Sequence, residues 1–167
     1  MKLLKNIETH KVINMVEEGT NLVKDKINLT ITTPRGIKFV DEADMIIMRC
    51  IDGDLGVLPR HEPISTVLGD GILRVYNDGM VKKLAVFGGV VEVDENNVRI
   101  FSTIAQLPGE IDLERARRDR EEAEASIKEK SSEAQFQSLH ALVRRSLVRI
   151  EVSLHLDEEF NNGNDKE

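Results

Sequence analysis

The sequence predicts a mainly β protein with a smaller α-helical part: an N-terminal antiparallel β-sandwich followed by a C-terminal antiparallel two-helix hairpin. Short segments in which apolar and polar residues alternate, separated by turn residues, occupy the middle of the chain. At Pro108-Gly109 the composition changes, and Glu, Arg and Ala dominate from there on. No helical segment separates the strands, which disfavours a parallel sheet built from βαβ units.

The predicted sandwich covers residues 27–107. Its first strand alternates Ile or Leu with a polar residue, the period of a half-buried strand. Met45–Ile51 is a largely apolar stretch that predicts a central strand. Asn77-Asp78-Gly79 predicts a three-residue hairpin connection, and Gly88-Gly89 predicts a further turn of the chain. Many short strands at close spacing are typical of an antiparallel sandwich.

The predicted hairpin covers residues 108–156. Its first helix starts near Ile111, where Asp112 is placed to cap it, and Ser131-Ser132 separates it from the second helix. The second helix is expected from Glu133 to about Leu154. Its apolar stripe comprises Phe136, Leu139, Val143, Ile150 and Leu154, widened by Leu142 and Leu147. Because the first helix has few apolar residues, it depends on packing, and the hairpin is expected to detach from the sandwich or to open.

The two ends of the chain differ from the parts between them. Residues 1–26 are polar with loosely spaced apolar residues, and we expect a mobile extension, with a short helix as the alternative. Residues 157–167 are acidic and rich in Asn, which predicts a disordered tail.

Composition excludes several function classes. The net charge of −7 argues against general nucleic-acid binding, which needs a large basic patch. The single cysteine, Cys50, permits no intramolecular disulfide and is expected to be an inert core residue. No run approaches the roughly 18 apolar residues that a membrane-spanning helix needs.

Motifs for catalysis or metal binding are not found in the sequence. A calcium-binding loop starting at Asp52 would need a glutamate where Pro63 stands, so no metal site is predicted. The four histidines have no recognisable nucleophile pattern beside them, and the chain lacks a phosphate-binding glycine loop. We therefore predict no catalytic residues and a protein that is not itself an enzyme.

Arginines of the helical part are the most informative polar residues. If the hairpin turns near Ser132, Arg115 lies opposite Arg149, and Asp119 lies opposite Arg145. Arg145 and Arg149 are four residues apart and share one helix face. A groove containing these arginines would suit a polyphosphate, because guanidinium groups match phosphate oxygens. The alternative is an ordinary solvated face, balanced by Asp112, Asp119, Glu122 and Glu151.

Several segments resemble one known family in the same order along residues 27–156. A block reading Gly-Asp-Leu-Gly-Val-Leu-Pro-x-His-x-Pro occupies residues 53–63, and Ile-Asp-Leu-Glu-Arg-Ala occupies residues 111–116. Together with shorter pieces at residues 31–36 and 85–89, they resemble the epsilon subunit family of F-type ATP synthases. The resemblance implies a ten-stranded sandwich and a two-helix domain.

The resemblance also implies a function and partners. It implies a non-catalytic rotor subunit of the central stalk, which couples proton- or sodium-driven rotation of the c-ring to ATP synthesis. Expected partners are the gamma subunit and the c-ring, with the membrane reached only through the complex, at the cytoplasmic face of the bacterial plasma membrane. The segment from Asp52 to Pro63 is similar to the family's loop facing the c-ring, so Asp54 and His61 are the contact candidates.

Regulation is a further implication of the resemblance. In the family the hairpin can extend along gamma and block ATP hydrolysis, its basic residues meeting an acidic region of the catalytic beta subunit; here Arg144, Arg145 and Arg149 occupy that stretch. Some bacterial members bind ATP in the folded hairpin. The corresponding positions here are Asp112, Arg115, Arg145 and Arg149, with no cofactor required and ATP as a regulatory ligand.

Two departures from the ATP-binding pattern predict weak binding. Such relatives carry an acidic residue where Gln106 aligns and a basic one where Glu122 aligns, and Glu122 would repel a triphosphate. The alternative function is a free-standing ATP-sensing binding protein of the same fold, without a synthase partner.

Overall fold

The computed structural model of the chain describes residues 25–129 and 132–164. These residues form eight β-strands, a short 3-10 helix and two α-helices. The strands are β1 (Ile27–Thr33), β2 (Gly36–Ala43), β3 (Met45–Cys50), β4 (Gly53–Val57), β5 (His61–Asn77), β6 (Met80–Glu95), β7 (Asn97–Phe101) and β8 (Ile104–Gln106). The 3-10 helix is Pro108–Glu110, and the α-helices are α1 (Leu113–Lys128) and α2 (Glu133–Asn164).

The predicted fold class is confirmed. The strand order is β2-β1-β7-β6-β5-β3-β4, with β8 paired to β6. Every pairing is antiparallel except that of β1 with β7, which is parallel. The sequence pattern does not reveal this parallel pair, because the residues of β1 and β7 that pair are far apart along the chain and their alternation fits either direction.

Eight strands stand where the resemblance implied ten, because β5 and β6 are long and continuous. They contain 17 and 16 residues, and their ladder continues on both sides of Gly69 and Gly88. The first half of β6 pairs with β8 and the second half with β7. Each long strand therefore supplies two of the expected strands. The predicted chain turn at Gly88-Gly89 is wrong, since β6 passes through both glycines.

The glycines change which side chains of β6 face the core. Before them, Leu84 and Val86 belong to the main core; after them, Val91 and Val93 do. Even-numbered residues face inward on one side and odd-numbered residues on the other, so the period of two shifts at this point. Gly88 and Gly89 allow the shift with φ angles of 63° and 120°, which favour glycine.

The tip of the β5–β6 hairpin is shorter than predicted. Asn77 pairs with Met80, so the connection is the two residues Asp78-Gly79 rather than three. Their φ angles are 49° and 79°, and positive values at both positions are the requirement of a type I′ turn.

The predicted central strand Met45–Ile51 is slightly shorter and nearer the edge. It ends at Cys50, lies between β5 and the edge strand β4, and leaves Ile51 63% exposed. Cys50 is buried, and burial raises the pKa of its thiol. It therefore belongs to the core, as expected.

The core of the sandwich is aliphatic. Its side chains are almost completely buried between the two layers. They include Ile27, Leu29, Ile31, Ile46, Met48, Val57, Leu68, Leu73, Val75, Leu84, Val86, Val91, Val93, Val98 and Ile100.

Two described residues, Asp25 and Lys26, belong to the expected N-terminal extension and contact the sandwich. Lys26 Nζ lies 2.8 Å from Asp78 Oδ1 and 3.0 Å from Asp44 Oδ1, and Asp25 pairs with Arg60. Residues 1–24 lie outside the described part of the chain. At the other end, α2 continues through Asn164, whereas the sequence predicts its end near Leu154 and a disordered tail from residue 157. No proline occurs there to stop the helix.

Asp112 caps α1, as predicted: its Oδ1 accepts a hydrogen bond from the backbone N–H of Arg115 at 2.9 Å. The fully buried side chains of α1 are two alanines, Ala116 and Ala123. In α2 the predicted stripe is only partly right. Phe136, Leu142, Leu147 and Leu154 are exposed, and the residues that pack on the sandwich are Val148 and Val152. The helix packs on one side against α1 and on another against the sandwich, whereas a single apolar stripe predicts one packed side.

Gly89→Ala should destabilise the sandwich by about 3 kcal/mol. A Cβ at this position would lie 2.2 Å from the carbonyl oxygen of Phe101, and the φ of 120° adds strain. Urea unfolding followed by circular dichroism measures the free energy of unfolding. Gly56→Ala is the matched control, because a Cβ there would meet no atom within 4 Å. Equal stability of both variants would contradict the close packing of Gly89 against β7.

Candidate functional site: the groove between hairpin and sandwich

Helix α2 lies on the outward face of the β5–β6 ladder. Asp70 pairs with Phe87 and Ile72 pairs with Ala85, and alternate residues of a strand share a face. Ile72, Ala85 and Phe87 form a second buried cluster with Ile111 and Val152. Residues 84–87 of β6 are therefore buried on both faces, by the sandwich core and by the hairpin.

Arg145 binds the sandwich through this face. Its Nε donates to Asp70 Oδ2 at 2.7 Å, and its Nη2 lies 3.4 Å from Asp70 Oδ1. Its guanidinium carbon also lies 5.6 Å from the centre of the Phe87 ring, within the range of a cation–π contact. Arg145 therefore has Asp70 as its carboxylate partner, whereas Asp119, which the hairpin geometry places opposite Arg145, lies 4.0 Å from Arg115.

Arg149 lies one helical turn further along. Its guanidinium carbon is 4.7 Å from the centre of the Phe87 ring, and its Nε donates to Gln106 Oε1 at 2.8 Å. Burial lowers the pKa of Arg149; Asp119 opposes this, while Arg145 and Arg115 add to it. Arg149 is thus a partly buried cation whose hydrogen-bond acceptor is a neutral amide.

A groove of about 380 Å³ opens between α1, α2 and β8. Its walls are formed by Gln106, Glu110, Asp112, Arg115, Ala116, Asp119 and Arg149. The structure thus brings together three of the four residues predicted to bind ATP: Asp112, Arg115 and Arg149. Arg145 is not among the lining residues, because Asp70 holds it. Glu122 does not line the groove either.

The groove contains both signs of charge. Arg115 Nε lies 4.0 Å from Asp119 Oδ2, a long contact, and the Arg115 side chain is largely exposed. Asp112 already uses one carboxylate oxygen as the helix cap. Glu110 is held by Lys38 and by the backbone N–H of Leu107, and the hydrogen bond from Lys38 is the main reason that the pKa of Glu110 is lowered. Arg149 is the cation of the groove with the weakest charge compensation.

Sequence reasoning missed Asp70 and Phe87. Asp70 stands between two glycines, a pattern that is typical of a turn rather than of a strand. For Phe87 a usable signal existed: Leu84–Phe87 is apolar at four successive positions, which is typical of a strand covered on both faces.

The two candidates for c-ring contact lie in different elements. Asp54 is in the edge strand β4 and pairs with Arg49 Nη1 at 3.0 Å. His61 is the first residue of β5, where its Nδ1 lies 2.7 Å from the backbone carbonyl of Glu62. The segment is therefore not a single loop, because β4 interrupts it. Contact with the c-ring stays a prediction for both residues.

Among the described residues, no group of three or more His, Cys, Asp or Glu side chains is arranged to hold a metal ion. Within the same residues, no helix has the length and apolarity to cross a membrane. Arg144, the remaining predicted contact residue, is exposed on α2.

Comparison with known proteins identifies the class. The sequence profile of the family "ATP synthase, Delta/Epsilon chain, beta-sandwich domain" matches residues 26–108. An ATP synthase epsilon chain of Caldicellulosiruptor saccharolyticus is 36% identical over 138 residues, which are 83% of this chain and 98% of the relative. One from Brevibacillus brevis is 35% identical, over 77% of this chain and 98% of the relative.

Solved structures give the same result. A chain of the Euglena gracilis mitochondrial ATP synthase, in its OSCP/F1/c-ring structure, superposes with a TM-score of 0.66 and 28% identity, over 78% of this chain and 82% of that one. A chain from the central stalk and c-ring structure of the Tetrahymena thermophila mitochondrial enzyme shares the fold, with a TM-score of 0.52, 16% identity and coverage of 77% and 96%.

The fold and these matches define a small, non-catalytic subunit of an ATP synthase. The chain belongs to the ATP synthase epsilon chain family.

Proposed function

We propose that this subunit couples ion-driven rotation of the c-ring to ATP synthesis, with the gamma subunit as its permanent partner. It would rest on the c-ring at the cytoplasmic face of the bacterial plasma membrane and reach the membrane only through the complex. Family membership supports a place in the stalk, and one surface of the sandwich supports a permanent protein partner.

That surface is a row of exposed apolar side chains, here called the outer row: Ile37, Phe101, Val90 and Val67, with Thr32 between the first two. The residues are neighbours across β2, β1, β7, β6 and β5. The four apolar members are 71%, 42%, 44% and 46% exposed, in that order. Strands lie about 4.8 Å apart, so the row crosses about 20 Å of the sheet.

An apolar row of this length suits a partner that stays bound. Contiguous exposed apolar surface marks interaction sites, and permanent interfaces are more apolar than transient ones. A rotor subunit must transmit torque without dissociating, which is the requirement for its contact with gamma. The polar candidates Asp54 and His61 are assigned to the c-ring instead.

Val90→Lys should weaken binding to the gamma subunit by about tenfold or more, because a lysine at the centre of the outer row would be buried without a partner. Binding of the purified chain to purified gamma, measured by surface plasmon resonance, tests this. Met80→Lys is the matched control, since Met80 is 67% exposed at the tip of the β5–β6 hairpin. Undiminished binding of Val90→Lys would place the gamma contact elsewhere, and equal losses in both variants would show an effect of charge alone.

Nucleotide sensing is a second candidate function, favoured by the position of Arg149. This partly buried cation shares its groove with Arg115, and its hydrogen-bond acceptor among the described residues is the Gln106 amide. The phosphates of ATP would supply the missing negative charge through charge-assisted hydrogen bonds. With Arg145 held by Asp70, two arginines rather than three would contact the phosphates, which agrees with the expectation of weak binding.

Calorimetric titration of ATP should show saturable binding, lost in Arg115→Ala/Arg149→Ala. Two charged hydrogen-bond donors are removed together, so the affinity should fall by about 100-fold or more. Arg118→Ala/Arg144→Ala is the control, because it removes the same charge at exposed positions outside the groove. An absence of binding to the parent chain at millimolar ATP would refute nucleotide sensing and leave the arginines as protein contacts.

Inhibition of ATP hydrolysis is the third part of the proposal. A hairpin released from the sandwich would expose Arg145 and Arg149 beside Arg144, giving three cations for an acidic region of the beta subunit. Deleting residues 109–167 should then raise ATP hydrolysis by the assembled complex. Hydrolysis rates are compared at equal content of the truncated and full-length subunit, so that loss of assembly is excluded. Unchanged hydrolysis would remove the inhibitory role.

A further inference from the structure

We infer that Asp70 and Phe87 form a latch on the sandwich that holds α2 in the docked position through Arg145 and Arg149, without any nucleotide. The latch lies on the face of the β5–β6 ladder and borders the groove, which it shares through Arg149. Arg145 contacts both Asp70 and Phe87, and Arg149 contacts Phe87.

The sandwich side of the latch is a cross-strand pair. Asp70 on β5 is the register partner of Phe87 on β6, so both side chains lie under the same part of α2. The carboxylate of Asp70 is only 13% exposed, and the Phe87 residue is 1% exposed. A carboxylate covered to this extent is costly unless a cation pairs with it. Arg145 supplies that cation through two hydrogen bonds.

The helix side of the latch is a pair of arginines one turn apart. Arg145 and Arg149 lie 5.6 and 4.7 Å from the Phe87 ring centre, so both guanidinium groups contact one ring. Cation–π contacts are stronger when water is excluded, as it is from a ring this well buried. Asp70 also acts electrostatically on Arg149, stabilising its charged form.

The other polar contacts between α2 and the sandwich have a neutral acceptor or a longer distance. Arg149 Nε donates to the neutral amide of Gln106 at 2.8 Å. Glu151 lies 3.9 Å from both Arg74 and Lys83, beyond hydrogen-bond distance, and His155 contacts the backbone carbonyl of Val81 at 2.9 Å. Val148 and Val152 add apolar contact, but this contact does not fix the orientation of the helix because the hydrophobic effect is non-directional. The contact of Arg145 with Asp70 is therefore the strongest polar contact that positions the helix, because it joins two charged groups at 2.7 Å.

The latch makes docking and availability of Arg145 mutually exclusive. While Asp70 holds Arg145, this arginine can bind neither a phosphate nor an acidic partner. Any such ligand must compete with Asp70, and once Arg145 leaves, the carboxylate is left without its cation. This consequence rests on the proposed regulation; the latch itself does not, because it needs no ligand.

Charge reversal tests the latch on the full chain without nucleotide. Hydrogen–deuterium exchange is measured for the backbone amides of residues 145–155 in Asp70→Lys, in Arg145→Glu and in the double variant. Each single variant should exchange about tenfold faster there, because the ion pair becomes a repulsion. The double variant should return to within about threefold of the parent chain, since the pair is restored with its charges exchanged.

The exposed ion pair of Glu92 and Arg99 provides the control. The same reversals at these residues should leave exchange in α2 unchanged, because the pair joins β6 and β7 on the other side of Gly88-Gly89 from Phe87. Phe87→Leu keeps an apolar side chain but removes the ring, and should accelerate α2 exchange by about threefold.

Three outcomes would overturn the latch: unchanged exchange in both single variants, a double variant no slower than the singles, or an equal acceleration in β1 and β7, which would mean general destabilisation. ATP is absent from the exchange experiment. A failure to bind ATP in calorimetry would therefore not overturn the latch, and a failure of the latch would not refute nucleotide sensing.

Discussion

The structure depends on burial of the β5–β6 ladder on both of its faces. Leu84 and Val86 fill the sandwich, while Ala85 and Phe87 on the same strand carry the hairpin. A sheet with one polar face needs packing only on its apolar face. This part of the ladder is apolar on both faces, and α2 covers the second one. The hairpin is thus attached where the sheet would otherwise expose a phenylalanine, which explains why docking is favourable although α1 contributes mainly alanines to its own packing.

Around this contact the charges are paired unequally. Arg145 has a well-covered carboxylate, Arg115 has a distant one, and Arg149 has a neutral amide. A neutral amide does not balance the charge of a partly buried cation, so an anion placed near Arg149 would gain electrostatic energy. Arg145, whose charge is balanced, lies one turn away on the same helix.

The shift in alternation at Gly88 and Gly89 separates two working surfaces. Before the glycines, the outward side chains of β6 face the hairpin; after them, Val90 faces outward as part of the outer row. One pair of strands therefore presents a helix-binding face at one end and an apolar row at the other. The two surfaces lie on different halves of the same strand, on either side of Gly88-Gly89.

The sequence alone determined the fold class, the boundary near Pro108, the Asp112 cap and the family, because alternation, helix composition and capping are local and the motifs of residues 53–63 and 111–116 are specific. It also placed Arg115 and Arg149 in one groove from hairpin geometry. Only the tertiary structure decided that Arg145 pairs with Asp70, that Val148 and Val152 face the sandwich, and that β1 runs parallel to β7. These contacts join residues far apart in the chain, and the choice between Asp70 and Asp119 for Arg145 depends on how α2 is rotated over the sheet, which no local pattern specifies.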